Sequence, residues 1–353
     1  MQTIFFELPV LDGNVLNIRL DIPDIDHIKK LIIFIHGTGP NTYDNHRKIE
    51  NLEFNYFDLF AKEFCKRGIA FCRWNTRGCS ISDEPPLYVN VDEEEYKSYL
   101  PSTSISDIER VINYFKNKDE FKKTKIVLFG ISEGTIIAPL VALNGKTKIS
   151  GLLLAGYANE NMRATLEWQL SGGSSMVNMC KWFDYGNNGF ITKTDFEDDR
   201  YNVRPIYFDN IPFEKLDING DGIIDHLDFK EIIKDYREAV FHAIDSDDDE
   251  WLKNNYGVRI TSAWCKEHFN LPPAKEILPQ LNIPIHIFHG MDDSNIPVKD
   301  VFDIEKQFKE LGKENLYVHT FQGHDHDLNY LLYPLHGIIS EGIQCIFDSA
   351  VTI

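Results

Sequence analysis

The feature that most limits the fold is an alternation of short apolar runs with segments of helical spacing, broken once. "KLIIFIHG" (30–37) is rich in β-branched residues and lacks polar alternation, so it predicts a strand covered on both faces. "FNYFDLFAKEFCKRG" (54–68) carries apolar residues at helical spacing and stops at Gly68. The strand "IAFCRW" follows, then the helix "SISDIERVINYFKN" with Ser104 or Ser106 as its cap. Next come the strand "KIVLFG", the helix "GTIIAPLVAL" and the strand "ISGLLLAG" (149–156). Such alternation predicts an α/β fold with a mostly parallel sheet. A hairpin precedes it, "TIFFELPV" turning at Asp12-Gly13 into "VLNIRL".

The rhythm stops at residue 157 and resumes only near 276. From there "IPIHIFHG" (283–290), the helix 298–312, the strand "LYVHTFQG" (316–323) and a last helix from Tyr330 complete the pattern. The expected organisation is a core of 1–156 and 276–353 with residues 157–275 inserted as a mainly helical cap. Between 155 and 270 the chain has 22 acidic and 12 basic residues, so 22 − 12 places −10 of the net −19 there. The run "DSDDDE" (245–250) reads as a solvated turn or helix start.

A chain of 353 residues, 43% hydrophobic, can bury a large core. Its acidity repels phosphate backbones and anionic lipid, which argues against nucleic acid or membrane partners. No apolar stretch is long enough to span a bilayer. "MQTIFFELPVLDG" has no basic start and meets Glu7 early, unlike a signal peptide. Six cysteines without a CxxC pair suggest reduced thiols, so a cytoplasmic location is expected.

Chemistry concentrates at the strand ends. "GISEG" (130–134) matches G-x-S-x-G between a strand and a helix, the context of a nucleophile elbow. Gly130 and Gly134 suit a turn too tight for side chains, and the helix N-terminus behind Ser132 favours an oxyanion. The loop His36-Gly37-Thr38-Gly39 ends another strand. Its Thr38 amide and that of Glu133 are the expected oxyanion donors, and His36 is expected to pack the loop rather than act as a base. "FHGMDDSNIP" (288–297) holds two candidate acids, Asp292 and Asp293, and "FQGHDHDL" (321–328) holds two candidate bases, His324 and His326. The chain order Ser, Asp, His is the one that accompanies such an elbow.

The pieces "HGTG", "RWNTRGCSIS", "GISEG", "GMDDSNIP" and "GHDHDL" together resemble the α/β-hydrolases, in the broad group of esterases, thioesterases and serine aminopeptidases. They span 30–156 and 280–340 in the expected order. Cys79 stands where the family's arginine-glycine loop often differs. The resemblance implies an α/β-hydrolase fold. It places the acid at Asp293, through Gly290 and Pro297, and the base at His326, counted from Gly323. Asp292 and His324 remain the alternatives. It further implies a Ser132–His326–Asp293 mechanism through an acyl-enzyme, acting on an acyl ester or thioester. A peptidase on the same fold, and a catalytically dead Ca²⁺-responsive binding protein, are the competing readings.

A second motif lies in the insertion. "DINGDGIIDHLD" (217–228) puts Asp217, Asn219, Asp221, the Ile223 carbonyl, Asp225 and Asp228 at EF-hand ligand positions, with Gly222 at the sharp turn. "DYGNNGFITKTD" (184–195) offers Asp184, Asn188, the Phe190 carbonyl, Thr192 and Asp195, with Gly186 in place of one ligand. The expectation is an EF-hand pair over 177–240, its loops joined through Ile191 and Ile224. Both loops end in Asp rather than Glu. The shorter side chain favours weaker Ca²⁺ binding or a shift toward Mg²⁺.

Overall fold

The computed structural model describes residues 1–353. Its strands in chain order are β1 (Gln2–Pro9), β2 (Val15–Ile22), β3 (Lys30–Ile35), β4 (His46–Ile49), β5 (Leu52–Asn55), β6 (Ile69–Trp74), β7 (Cys79–Ile81), β8 (Val89–Val91), β9 (Lys125–Ile131), β10 (Gly151–Ala155), β11 (Ile191–Thr192), β12 (Ile223–Ile224), β13 (Ile285–Gly290) and β14 (Leu316–Phe321). Eight form one sheet in the order β1-β2-β6-β3-β9-β10-β13-β14. The β1/β2 hairpin and its junction with β6 are antiparallel. Every other pairing in this sheet is parallel.

The purely apolar runs form the middle strands because both of their faces are covered. Leu31, Ile33, Leu128, Leu152 and Ile285 point into a core on one side of the sheet. Ile32, Phe34, Val127, Phe129 and Leu153 point into a second core on the other, packed by helices Asp58–Lys66 and Glu341–Thr352. Alternate residues of each strand therefore serve opposite layers. Parallel order also sends the carboxyl ends of β3, β9, β10, β13 and β14 to one edge, where ligand sites of open α/β sheets form.

Three helix expectations are corrected. The helix expected to start at Ser104 or Ser106 runs from Pro101 to Lys116, because Pro101 occupies the first turn, where a missing N–H costs nothing. Residues 54–55 belong to β5, and the helix after them starts at Asp58. The last helix is two, Leu332–His336 and Glu341–Thr352, separated at Gly337, whose φ of 70° ends the first.

The β4/β5 hairpin was not anticipated. It is tied to the loop before β8 by the Lys48 N–H donating to the Pro86 carbonyl at 3.0 Å.

The segment between β10 and β13 is mainly helical. Around 173–232 it builds its own small core from Met176, Phe183, Ile191, Phe196, Phe213, Ile224 and Phe229. Two-residue strands β11 and β12 join the loops 184–195 and 217–228, with Ile191 directly opposite Ile224. No helix is long and apolar enough to cross a membrane.

Candidate active site

Ser132 follows β9 at φ 55°, in the left-handed region, and helix Gly134–Asn144 begins two residues later. The turn can be this sharp only with glycine on both sides. A Cβ on Gly130 would lie 2.2 Å from the Gly134 carbonyl oxygen, and one on Gly134 would lie 2.4 Å from that of Ile35. The strained serine is held by its own backbone. Its N–H donates to Ala155 O at 2.9 Å, and its carbonyl accepts from the Thr135 N–H at 2.8 Å and the Thr135 hydroxyl at 2.7 Å.

The loop after β3 approaches this turn closely, with a Cβ on Gly37 only 3.2 Å from Ser132 Cβ. Asn41, buried, fixes the loop by donating its side-chain amide to the Gly37 and Gly39 carbonyls at 3.1 and 3.0 Å. The Thr38 and Glu133 backbone N–H groups have no acceptor within the protein. His36 lies beneath the loop. Burial lowers its pKa to about 4 and keeps it neutral, and its Nε2 contacts the Trp74 carbonyl.

At the end of β13, Asp293 is buried and its two oxygens are assigned. Oδ1 accepts from the Asn295 and Ile296 amides at 2.8 and 2.9 Å, while Oδ2 accepts from His326 Nδ1 at 2.8 Å. Burial raises the Asp293 pKa, but the His326 charge and hydrogen bond, with His289 and the Ile296 amide, outweigh it, so the net shift is downward. Burial likewise disfavours the charged His326 ring. The Asp293 charge and hydrogen bond dominate with help from Asp327 and Asp325, and the ring's pKa is pushed up to about 9. Gly156 makes room for that ring, since a Cβ there would sit 2.7 Å from His326 Cε1.

His326 and Ser132 line the same cavity without a direct hydrogen bond, as in many unliganded sites. The alternatives stand outside it. His324 Nδ1 contacts the Gln322 carbonyl at 3.1 Å, and Asp292 meets His324 only through backbone, its N–H donating to the His324 carbonyl at 2.9 Å.

Two groups escaped sequence reasoning. His289, fully buried, accepts the Tyr157 N–H on Nδ1 at 3.1 Å, so its Nε2 carries the proton that it donates to Ile296 O at 3.2 Å. Nε2 also lies 3.4 Å from Asp293 Oδ2, so the ring underpins the acid loop. Its signal was the second of two histidines in the strand Ile285–Gly290, where every other side chain is apolar.

The other is the Glu133 side chain, 3% exposed. It accepts from Trp264 Nε1 at 3.1 Å and from the Tyr99 hydroxyl, and His268 Nε2 contacts it at 3.0 Å. Trp264 and His268 both belong to helix Ser262–Phe269 of the insertion. The residue that follows Ser132 is therefore clamped by the cap.

The cavity measures about 580 Å³. Cap residues Met162, Leu166, Val258 and Ile260 make part of its wall, and hairpin residues Arg47, Lys48, Ile49 and Phe54 make another.

The insertion loops share one hydrogen-bond plan. Asp184 accepts from the Asn188 and Gly189 amides, as Asp217 does from those of Asp221 and Gly222. Asn188 accepts from the Phe190 N–H, and Asp221 from the Ile223 N–H. Asp195 and Asp228 close each loop by accepting from the Thr192 and Asp225 amides. Asn219 accepts the Asp221 N–H at 2.8 Å. These carboxylates hold backbone amides, and nowhere do three or more His, Cys, Asp or Glu side chains converge as a metal cluster. Two ties link the start of the insertion to the loop that holds Asp293. The Ser174 hydroxyl donates to Ser294 O at 2.5 Å, and the Gln169 amide donates to Asn295 O at 2.7 Å.

Sheet order, elbow and strand-end loops define the α/β-hydrolase fold, and residues 30–191 match the family model described as alpha/beta hydrolase fold. A carboxyl esterase from Bacillus coagulans is similar at a TM-score of 0.57, with 14% identity and 99% of each chain covered. The alpha/beta hydrolase GrgF from Penicillium sp. sh18 is similar at 0.54, with 12% identity over the whole of both chains. DcsB, solved with a substrate analogue, is also at 0.54, with 15% identity, covering 99% of this chain and 98% of its own. No curated protein matches the chain.

Proposed function

We propose that the protein is a serine hydrolase that cleaves an acyl ester or thioester. The observation that carries this reading is the His326 Nδ1–Asp293 Oδ2 hydrogen bond of 2.8 Å, in a cavity whose wall also holds Ser132 on its strained turn. Ser132 Oγ bonds to the acyl carbon as its proton passes to His326 Nε2. The Thr38 and Glu133 N–H groups receive the oxyanion. The carbon–oxygen or carbon–sulfur bond then breaks, and the proton goes to the leaving group. Water adds to the acyl-enzyme by the same route and frees the acid. Asp293 fixes the ring tautomer and stabilises the imidazolium.

In the same reading the insertion binds a divalent cation, Ca²⁺ or Mg²⁺. The donors of loop 217–228 are all oxygens, which suits a hard ion, and the Asp217 and Asp221 hydrogen bonds already wrap the backbone around the loop. Asp217, Asn219, Asp221, the Ile223 carbonyl, Asp225 and Asp228 would hold the ion. Asp184, Asn188, the Phe190 carbonyl, Thr192 and Asp195 form the poorer site. The ion's contribution is positive charge that stiffens the cap, outside the acyl chemistry.

A fluorophosphonate probe tests the hydrolase reading. Labelling that Ser132→Ala abolishes, with a loss of ester hydrolysis on the order of 10⁶ in kcat, is expected. An unlabelled Ser132 in folded protein overturns it.

A further inference from the structure

Arg47 is the one cationic side chain in the cavity wall that forms no salt bridge. Lys48 bridges to Glu53 at 3.0 Å, the Glu133 carboxylate is held by the cap, and His326 is paired with Asp293. Asp327 borders His326 and lies beside Tyr56. Arg47 forms no salt bridge, although the chain has 55 acidic residues against 36 basic ones. Its Nη1 donates to the His46 and Leu87 carbonyls, both at 3.0 Å, and these tie the hairpin to the loop before β8. Nε and Nη2 keep their donors unspent. Burial works against its charge, and no acidic side chain offsets that. A partly desolvated guanidinium of this kind is a planar fork suited to an oxyanion.

Resting on the hydrolase reading, we infer that the substrate carries a carboxylate or phosphate besides its scissile acyl bond, and that Arg47 binds that group. The apolar wall of Met162, Leu166, Val258 and Ile260 accommodates the hydrocarbon portion of the same molecule. The protein thus selects anionic acyl esters over neutral ones of equal size.

The test uses matched p-nitrophenyl esters, hemiglutarate against hexanoate for an anion on the acyl side. Aryl acetates bearing a para-carboxylate or a para-carboxamide probe the leaving-group side, and their phosphate analogue separates the two oxyanions. The readout is the ratio of anionic to neutral kcat/KM. It is expected to exceed one for at least one pair, to fall roughly tenfold or more in Arg47→Gln, and to recover in part in Arg47→Lys. Added salt should reduce it. A ratio that Arg47→Gln leaves unchanged, or a preference for the neutral member of every pair, overturns the inference and leaves Arg47 as a tie between the hairpin and Leu87. Fluorophosphonate labelling of the same samples separates the two failures. Labelled protein without charge discrimination sinks this inference alone, and unlabelled protein sinks the hydrolase reading with it.

Discussion

Gly156→Ala tests the His326 placement at a distance from the reacting atoms. Gly156 has φ 62°, and an alanine Cβ would lie 2.7 Å from His326 Cε1 and 3.0 Å from Nδ1. The left-handed backbone costs a non-glycine residue about 1–2 kcal/mol. Ordinary contact begins near 3.4 Å, so the ring must also retreat by about 0.7 Å, a gap of 3.4 − 2.7. It is pinned by a 2.8 Å bond to Asp293, and a displacement of that size stretches the bond beyond normal hydrogen-bond length. Misplacement by about 1 Å costs on the order of 10²-fold in rate. The measurement is kcat/KM for a p-nitrophenyl ester beside a thermal melt. Gly337→Ala is the control, since Gly337 has φ 70° and nothing within 4 Å of an added Cβ. It should share the stability loss and keep its activity. If Gly156→Ala melts lower yet keeps more than half its activity, the ring has slack and the reasoning is wrong.

The raised His326 pKa predicts that kcat/KM climbs with pH through a midpoint at about 9, and that Asp293→Asn moves that midpoint to lower pH; a pH–rate profile checks both. The linked stability has the opposite sense. The folded ring titrates above its unfolded value of 6.5, so its stabilising contribution is complete below pH 6.5 and is lost as pH rises through about 9. On the acid side, burial holds His36 at about 4, so its contribution is present above pH 6.5 and drains away as pH falls toward 4; melts across pH should resolve both slopes. Chelation should lower the melting temperature and expose the insertion to protease while Ser132 still labels, and Asp221→Ala should mimic it. Saturation at 100 Kd is worth about 2.7 kcal/mol, so calorimetry without binding below millimolar Ca²⁺ or Mg²⁺ would remove the metal from the account.

Parts of this architecture were readable because one residue type served one purpose. Strands such as Leu31–Ile35 are apolar on both faces and so announce a covered parallel sheet. Gly130 and Gly134 announce a turn without room for a Cβ. The β4/β5 hairpin was opaque because "HRKIENLEFN" mixes charge with half-buried apolar residues, and its stability comes from contacts with Pro86 and Leu87 far along the chain. The same holds for Glu133. Its partners Trp264 and His268 lie more than 130 positions away, and no local pattern links them.

Anchoring Glu133 to the cap restricts how substrate can enter. Swinging helix Ser262–Phe269 outward would strip the buried Glu133 side chain of Trp264 and His268 at once and leave only the Tyr99 hydroxyl. Leaving a buried polar group short of its partners costs about 1–3 kcal/mol. That helix therefore behaves as the fixed jamb of the doorway. Traffic falls to elements held less firmly, and the rim between Ile49 of the hairpin and Leu87, both exposed and both in the cavity wall, is the cheaper door, closed mainly by the Arg47–Leu87 hydrogen bond.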